Sequence, residues 1–270
     1  MTLLAADFTL LHLIPGYSSA EYSLAGFLQD KFGPSFVEGA DIQGITHISM
    51  SVVAVLVVLA VTFITKSAWS GAKDSAIPAG KFSVANFAET LMDAVLGLSE
   101  QVLGSREEAE RFMPLIAALA FYIFFNNILG LVPGFFPATD NLNVTFGPAI
   151  VVFLVSHYVG VKAQGIGHYL AHFCGPPIVG KLPLLAPLMI PIELISHLAR
   201  PVSLSLRLMG NMTGDHKVLA IFLGLAAVPL IFPIPVLILG TVVCTVQTLV
   251  FCLLSLVYIA LAIEHSDEAH

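Results

Sequence analysis

At 270 residues, 57% hydrophobic and only 11% charged, this chain falls outside the soluble globular class, where about 25% of residues are charged. Its mean hydropathy of +0.91 and net charge of −7 describe a polytopic membrane protein, for which no nucleic-acid partner is expected.

The chain divides into an external N-terminal segment (1–44), a single transmembrane domain (45–263) and a short tail (264–270). Residues 1–13 lack a basic n-region and a small-residue cleavage pattern, so they do not read as a signal peptide. The first charge-free run, 42–65, is long enough for one helical crossing, which takes about 20 residues. Residues 82–103 then place apolar and polar positions at helical spacing, as expected of an amphipathic helix on the cytoplasmic surface of the membrane or of a small helical connector. The run 112–139 holds a second crossing followed by a Pro/Gly loop, and 141–161 a third.

From Leu182 the apolar sequence is interrupted by Glu193, Arg200, Arg207 and Asp215. A further charge-free run, 218–263, breaks at Pro229, Pro233 and Pro235, because proline lacks an amide donor and ends helices. The spacing predicts long helices over 183–226 and 235–263, a strongly tilted hairpin that brings the total to about five spans. Lys66, Lys73, Lys81, Arg106 and Arg111 lie between the first two spans, and Lys162 and Lys181 between the third and fourth. The N-terminal tail carries Lys31 against Asp7, Glu21, Asp30, Glu38 and Asp41. By the positive-inside rule the N-terminus lies outside and the acidic C-terminus in the cytoplasm.

Arg207 is the most informative residue. An arginine at membrane depth is unfavourable by roughly 2.5–3.5 kcal/mol, and its pKa is too high for burial to neutralise it. Glu193, His197, Arg200, Arg207, Asn211 and Asp215 follow one another at steps of four, three, seven, four and four, a face roughly 80° wide at about 100° per residue. Such a stripe must meet a partner or a wet crevice rather than lipid. Ser203, Ser205, Gly210 and Gly214 between them allow a second helix to approach closely, and Pro201 frees the carbonyl of His197, predicting a kink or a water site. In the last helix Gly240, Cys244, Gln247, Phe251, Leu254 and Tyr258 form an uncharged face that places Gln247 and Tyr258 on the seam with the Arg207 helix.

The run Pro201-Val202-Ser203-Leu204-Ser205-Leu206-Arg207-Leu208-Met209-Gly210-Asn211-Met212 resembles the arginine motif of the a subunit of bacterial F-type ATP synthases. So do the segment from Phe125 to Gly134 containing Asn127, the segment from Pro137 to Thr145, and Gln247. The resemblance implies a non-catalytic, multi-pass stator subunit in the bacterial inner membrane, without cofactor or metal. It would act beside the ring of c subunits with the b-subunit stalk and other synthase subunits, supplying two half-channels. Arg207 then faces the ring carboxylate. Glu193 and Ser196, joined by His197, match the cytoplasmic half-channel; Asn211 and Asn127 match outer positions, Gln247 a glutamine near the arginine, and His216 a site of acid or histidine. Where some members carry an acid or histidine, this chain has Gly130 and Gly240, leaving Asp215 and His216 as candidate external relays. The same resemblance leaves the coupling ion, proton or sodium, to the acid of the c subunit.

Plainer readings stand beside these. Arg207 could anchor to an acid of its own chain, and Glu193 could pair with Arg200 through His197. Arg200 reads as structural or snorkelling, and Asn211 and Gln247 as amides joining helices. Asp140 reads as a solvated end, and His47 and His157 as interfacial. The three cysteines read as small buried apolar residues. His168 and His172 with Cys174 have zinc-compatible spacing, but position 169 is tyrosine where a metalloprotease helix would need glutamate. A self-contained ion transporter is the other alternative, though no inverted repeat is present. No phosphate-binding Gly-x-x-x-x-Gly-Lys-[Ser/Thr] loop occurs.

Overall fold

The computed structural model describes residues 14–32, 43–70, 84–132, 135–167, 169, 186–225 and 233–267. The described residues form α1 (Tyr17–Phe32), α2 (Gln43–Ser70), α3 (Val84–Leu103), α4 (Arg106–Gly130), a 3₁₀ turn (Ala138–Asp140), α5 (Leu142–Gln164), α6 (Ala186–Leu225) and α7 (Pro233–Asp267), with no strand among them. In hydrocarbon a helix satisfies each backbone donor and acceptor internally, which open strands cannot do.

Four of these helices are long and apolar enough to cross a membrane: α2 within His47–Ser67, α4, α5, and α7 within Ile234–Ile263. The 40-residue α6 is not in that group, because Glu193, Arg200, Arg207, Asp215 and Lys217 interrupt its apolar character. Both long helices match their sequence-predicted extents closely, and α7 begins at one of the prolines expected to restart the chain. Pro191 and Pro201 lie inside an unbroken α6, so Pro201 does not divide it, and the Ser205 hydroxyl donates to the Pro201 carbonyl at 2.7 Å.

The core is where α4, α5, α6 and α7 meet. Phe251, fully buried, sits among Leu119, Ile123, Ala149, Val152, Leu204 and Leu208. Toward the other end of α7, Cys252, Leu256 and Ile259 pack with Phe112, Ile116 and Val159, and α3 covers this cluster with Val95. The amphipathic pattern of α3 is thereby explained: Ala88, Val95 and Ser99 are buried while Asp93, Glu100 and Gln101 are exposed. Gly104, at φ +70°, makes the sharp turn from α3 into α4. The α2 helix joins α4 through a 2.7 Å hydrogen bond between the Ser51 and Tyr122 hydroxyls. It otherwise exposes Val52, Val55, Leu56, Leu59 and Phe63, an apolar outer face suited to lipid.

Candidate functional site

The seam between α6 and α7 organises the polar residues. Asn211 donates its amide to the Gln247 side-chain oxygen at 2.6 Å, so the two amides meet as their positions predicted. Gly240, Cys244, Gln247 and Phe251 are all buried along this seam. Arg207 is exposed, and no hydrogen bond or ion pair reaches it among the described residues. Exposed Val202, Ser203, Leu206, Gly210 and Gly214 surround it on the same helix, and nothing lies within 4 Å of where a side chain would begin at either glycine. The reading of Arg207 as anchored to an acid of its own chain finds no contact to support it.

Toward the N-terminal end of α6, a cavity of about 60 Å³ lies between α5, α6 and α7, lined by His157, Glu193, His197, Arg200 and Tyr258 with residues around them. That is room for several waters. His197 Nε2 lies 3.1 Å from Glu193 Oε1, one helical turn away. Glu193 makes no ion pair with Arg200 among the described residues; the guanidinium instead stacks 5.3 Å over the Tyr258 ring. A separate, smaller void of about 10 Å³ shares Arg200, Ser156 and Tyr258 with that cavity and is also bordered by Ala149 and Leu204.

A second group forms beyond Arg207. The Asp215 carboxylate occupies the space over Gly240, where an added Cβ would lie 2.5 Å from Asp215 Oδ2. Gly240 therefore makes room for the acid and for Leu131, whose Cδ2 would lie 2.7 Å from the same Cβ. Gly130 has a different reason: a Cβ there would stand 2.5 Å from the Pro137 Cβ and 2.9 Å from its Cα, so the 3₁₀ segment packs directly on α4. Asn127, fully buried, holds that segment by accepting a 2.7 Å hydrogen bond from the Thr139 hydroxyl. The His216 ring meets Phe136 edge-on at 5.2 Å, and so faces the segment that leads into the 3₁₀ turn. Asp140, at the end of the 3₁₀ turn, is half-buried; burial pushes its carboxyl up to about 6, and the positive charge of Lys217 partly offsets this.

The predicted polar stripe of α6 is thus divided rather than a single wall. Glu193, His197 and Arg200 border the partly open cavity beside α5 and α7, Arg207 and Asn211 reach the surface, and Asp215 turns toward α7. Ser196 is exposed and does not line the cavity. His157, read as interfacial, lies within it, with its ring 5.0 Å from that of His197. A lone histidine near a span end carries no periodic signal, and only the packing of α5 on α6 brings it there. His168, His172 and Cys174 lie outside the described residues, among which no group of three or more metal-ligating side chains is assembled.

Comparison with known proteins gives a consistent result. The family model described as ATP synthase A chain matches residues 48–260. The chain is 42% identical over 219 residues to an ATP synthase subunit a of Bdellovibrio bacteriovorus, covering 81% of this chain and 92% of that protein. It is 40% identical over 244 residues to one of Geobacter sulfurreducens, covering 90% and 96%. With one of Sorangium cellulosum it shares 42% identity over 228 residues, covering 84% and 86%.

Proposed function

Because the chain belongs to the ATP synthase a-subunit family, a multi-pass membrane component of that complex, we propose that it is the stator which carries protons to and from the carboxylates of a rotating c-subunit ring. The observation that carries this reading is Arg207: exposed, without a partner among the described residues, on a helix flanked by small residues. A guanidinium at membrane depth stays charged and needs an acid. Here the acid comes from another subunit.

The chemistry follows from electrostatics. A fixed cation close to a carboxylate favours its ionised form, typically lowering the pKa by about one to three units. A ring carboxyl approaching Arg207 releases its proton, and one moving away takes a proton up. The cation also opposes direct passage of protons between the two sides. Each charge moved through about 100 mV gains about 2.3 kcal/mol, so several protons cross for each ATP made by other subunits, this one being non-catalytic.

Two groups of residues serve as the half-channels. The cavity with Glu193 and His197, close to Ser196, begins about 21 Å along the helix from Arg207 and forms the cytoplasmic path. Asp215, His216, Asn211, Gln247 and Asn127 form the outer one, with Asp215 only about 12 Å along the helix from Arg207. This assignment makes α6 a crossing as well, the fourth in chain order and the one that brings the total to five, with the N-terminus outside and the C-terminus cytoplasmic, as the distribution of basic residues supports. It also keeps residues 45–263 as one transmembrane domain, with the b-subunit stalk as a second partner, in the bacterial inner membrane.

The test is Arg207→Ala in the assembled complex. Coupled proton transport and ATP synthesis are expected to vanish while native gels show intact assembly. Arg207→Lys is expected to leave most coupling lost, since a compact ammonium does not reproduce the guanidinium's planar fork. Synthesis retained in the alanine variant would overturn the role given to Arg207.

A further inference from the structure

We propose that His157 is a second proton carrier of the cavity on the Glu193 side, exchanging protons through cavity water with His197 and Glu193. This rests on reading that cavity as a half-channel and adds a carrier from a different helix, α5.

The geometry sets the tautomer. His157 Nδ1 lies 2.8 Å from the Phe153 carbonyl oxygen, which can only accept, so Nδ1 bears the hydrogen and Nε2 is left as the basic nitrogen of the neutral ring. His197 instead points Nε2 at Glu193 Oε1, at 3.1 Å, so toward an ionised carboxylate it donates from that nitrogen. The two rings, at 73° to one another with centroids 5.0 Å apart, meet edge to face and both line a space with room for several waters. A proton arriving from water forms an N–H bond at His157 Nε2 and gives imidazolium. Breaking that same bond returns the proton to water and restores the neutral ring.

The surrounding charges limit the pair to one extra proton. From α6 come Glu193, His197 and Arg200, from α7 Tyr258, and Tyr169 follows α5. Two imidazoliums beside the Arg200 guanidinium would place three cations against one carboxylate, so protonating either ring disfavours the other. A pair that holds one proton and resists a second can pass it onward. A purely structural His157 would only pack its ring on Phe153, at 4.0 Å, and Tyr169, at 6.1 Å.

The experiment uses the assembled complex in inverted vesicles, which present the proposed cytoplasmic face to the medium, with ATP-driven acidification followed as medium pH changes. His157→Asn keeps a donor for the Phe153 carbonyl but cannot titrate, and His157→Phe keeps an aromatic ring. Both are expected to pump on the order of fivefold to tenfold slower than wild type at about pH 8, where donor protons are scarce, and within about twofold at about pH 6. Added imidazole should restore much of the rate in His157→Ala. Wild-type rates for the asparagine variant at both pH values would overturn the proposal. So would an equal loss at both values without imidazole rescue. If Glu193→Gln and Arg207→Ala abolish coupled flux while His157→Asn pumps as wild type, His157 alone loses its role; if Arg207→Ala still pumps, the half-channel reading itself fails.

Discussion

Two glycines differ in what their missing side chains permit. At Gly240 the vacant position holds a carboxylate: Asp215 Oδ2 would lie 2.5 Å from a Cβ added there. Leu131 Cδ2 would stand 2.7 Å from the same Cβ, so Gly240→Ala should displace both Asp215 and Leu131 while leaving every titratable group in the chain. Proton pumping is expected to fall several-fold, with Asp215→Asn falling at least as far; equal pumping by Gly240→Ala and wild type would show that the carboxylate's position is immaterial. At Gly130 the conflict is with the Cβ and Cα of Pro137, so Gly130→Ala should lower the yield of assembled complex rather than the rate of the complexes that form. Asp140 provides a pH signature outside the spans. Its carboxyl is raised from 3.8 to about 6, chiefly by burial. Between those values the folded state binds more protons than the unfolded one, so stability declines as pH rises from about 4 to about 6 and the loss is complete above that. Asp140→Asn should stabilise the protein above about pH 6 and have little effect below about pH 4, as thermal unfolding in detergent at the two pH values will measure.

Among elements, the seam of α6 with α7 is held by packing around Phe251 and by one amide pair at its polar centre. The Asn211–Gln247 bond, at 2.6 Å, can be isolated by a double-mutant cycle with Asn211→Ala and Gln247→Ala. A coupling of about 0.6–2 kcal/mol is expected, the range for hydrogen bonds between membrane helices; a coupling near zero would mean that the amides lie side by side without holding the helices. Much of this architecture was legible beforehand. The bounds of α6 and α7 followed from prolines and the end of apolar sequence, and the amphipathic α3 from its periodicity, because both signals are local. The seam positions of Gln247 and Tyr258 were also legible, since a helix face repeats predictably. What stayed hidden depended on neighbours distant in sequence. Gly130 and Gly240 read as absent acids until Pro137 and Asp215 appeared against them. The division of the α6 stripe depended on which side of α6 its neighbours cover: α5 and α7 pack on Leu204 and Leu208 and leave Arg207 facing outward, and the same packing of α5 brought His157 into the cavity from a position where it had read as interfacial.

At the scale of the molecule, the described helices are unevenly covered. The second half of α7, from Val250 to Ile263, is wholly buried or partly so, whereas its first half exposes Ile234, Ile238, Leu239, Val242, Val246 and Leu249. Along α6 an exposed row runs through Ile192, Ile195, Val202, Leu206, Gly210, Gly214 and Ile221, with Arg207 beside it. Lipid could cover the apolar members, but the charged one stays unfavourable there by roughly 2.5–3.5 kcal/mol. The small residues around Arg207 would moreover gain close backbone approach only against a protein helix. A rotor helix meets both demands at once, bringing an acid to the cation and a smooth wall to the glycines. Cysteines introduced at Leu206 and Gly210 should therefore cross-link to cysteines at membrane depth in the c subunit, with yields well above those from exposed Leu154 on α5. If the partner is the proposed rotor, ATP addition before oxidation should spread the Leu206 cross-links over successive ring subunits, while a cross-linked complex should lose coupled pumping until the disulfide is reduced. Equal yields from Leu206 and Leu154 would place the rotor elsewhere and leave Arg207 without its acid.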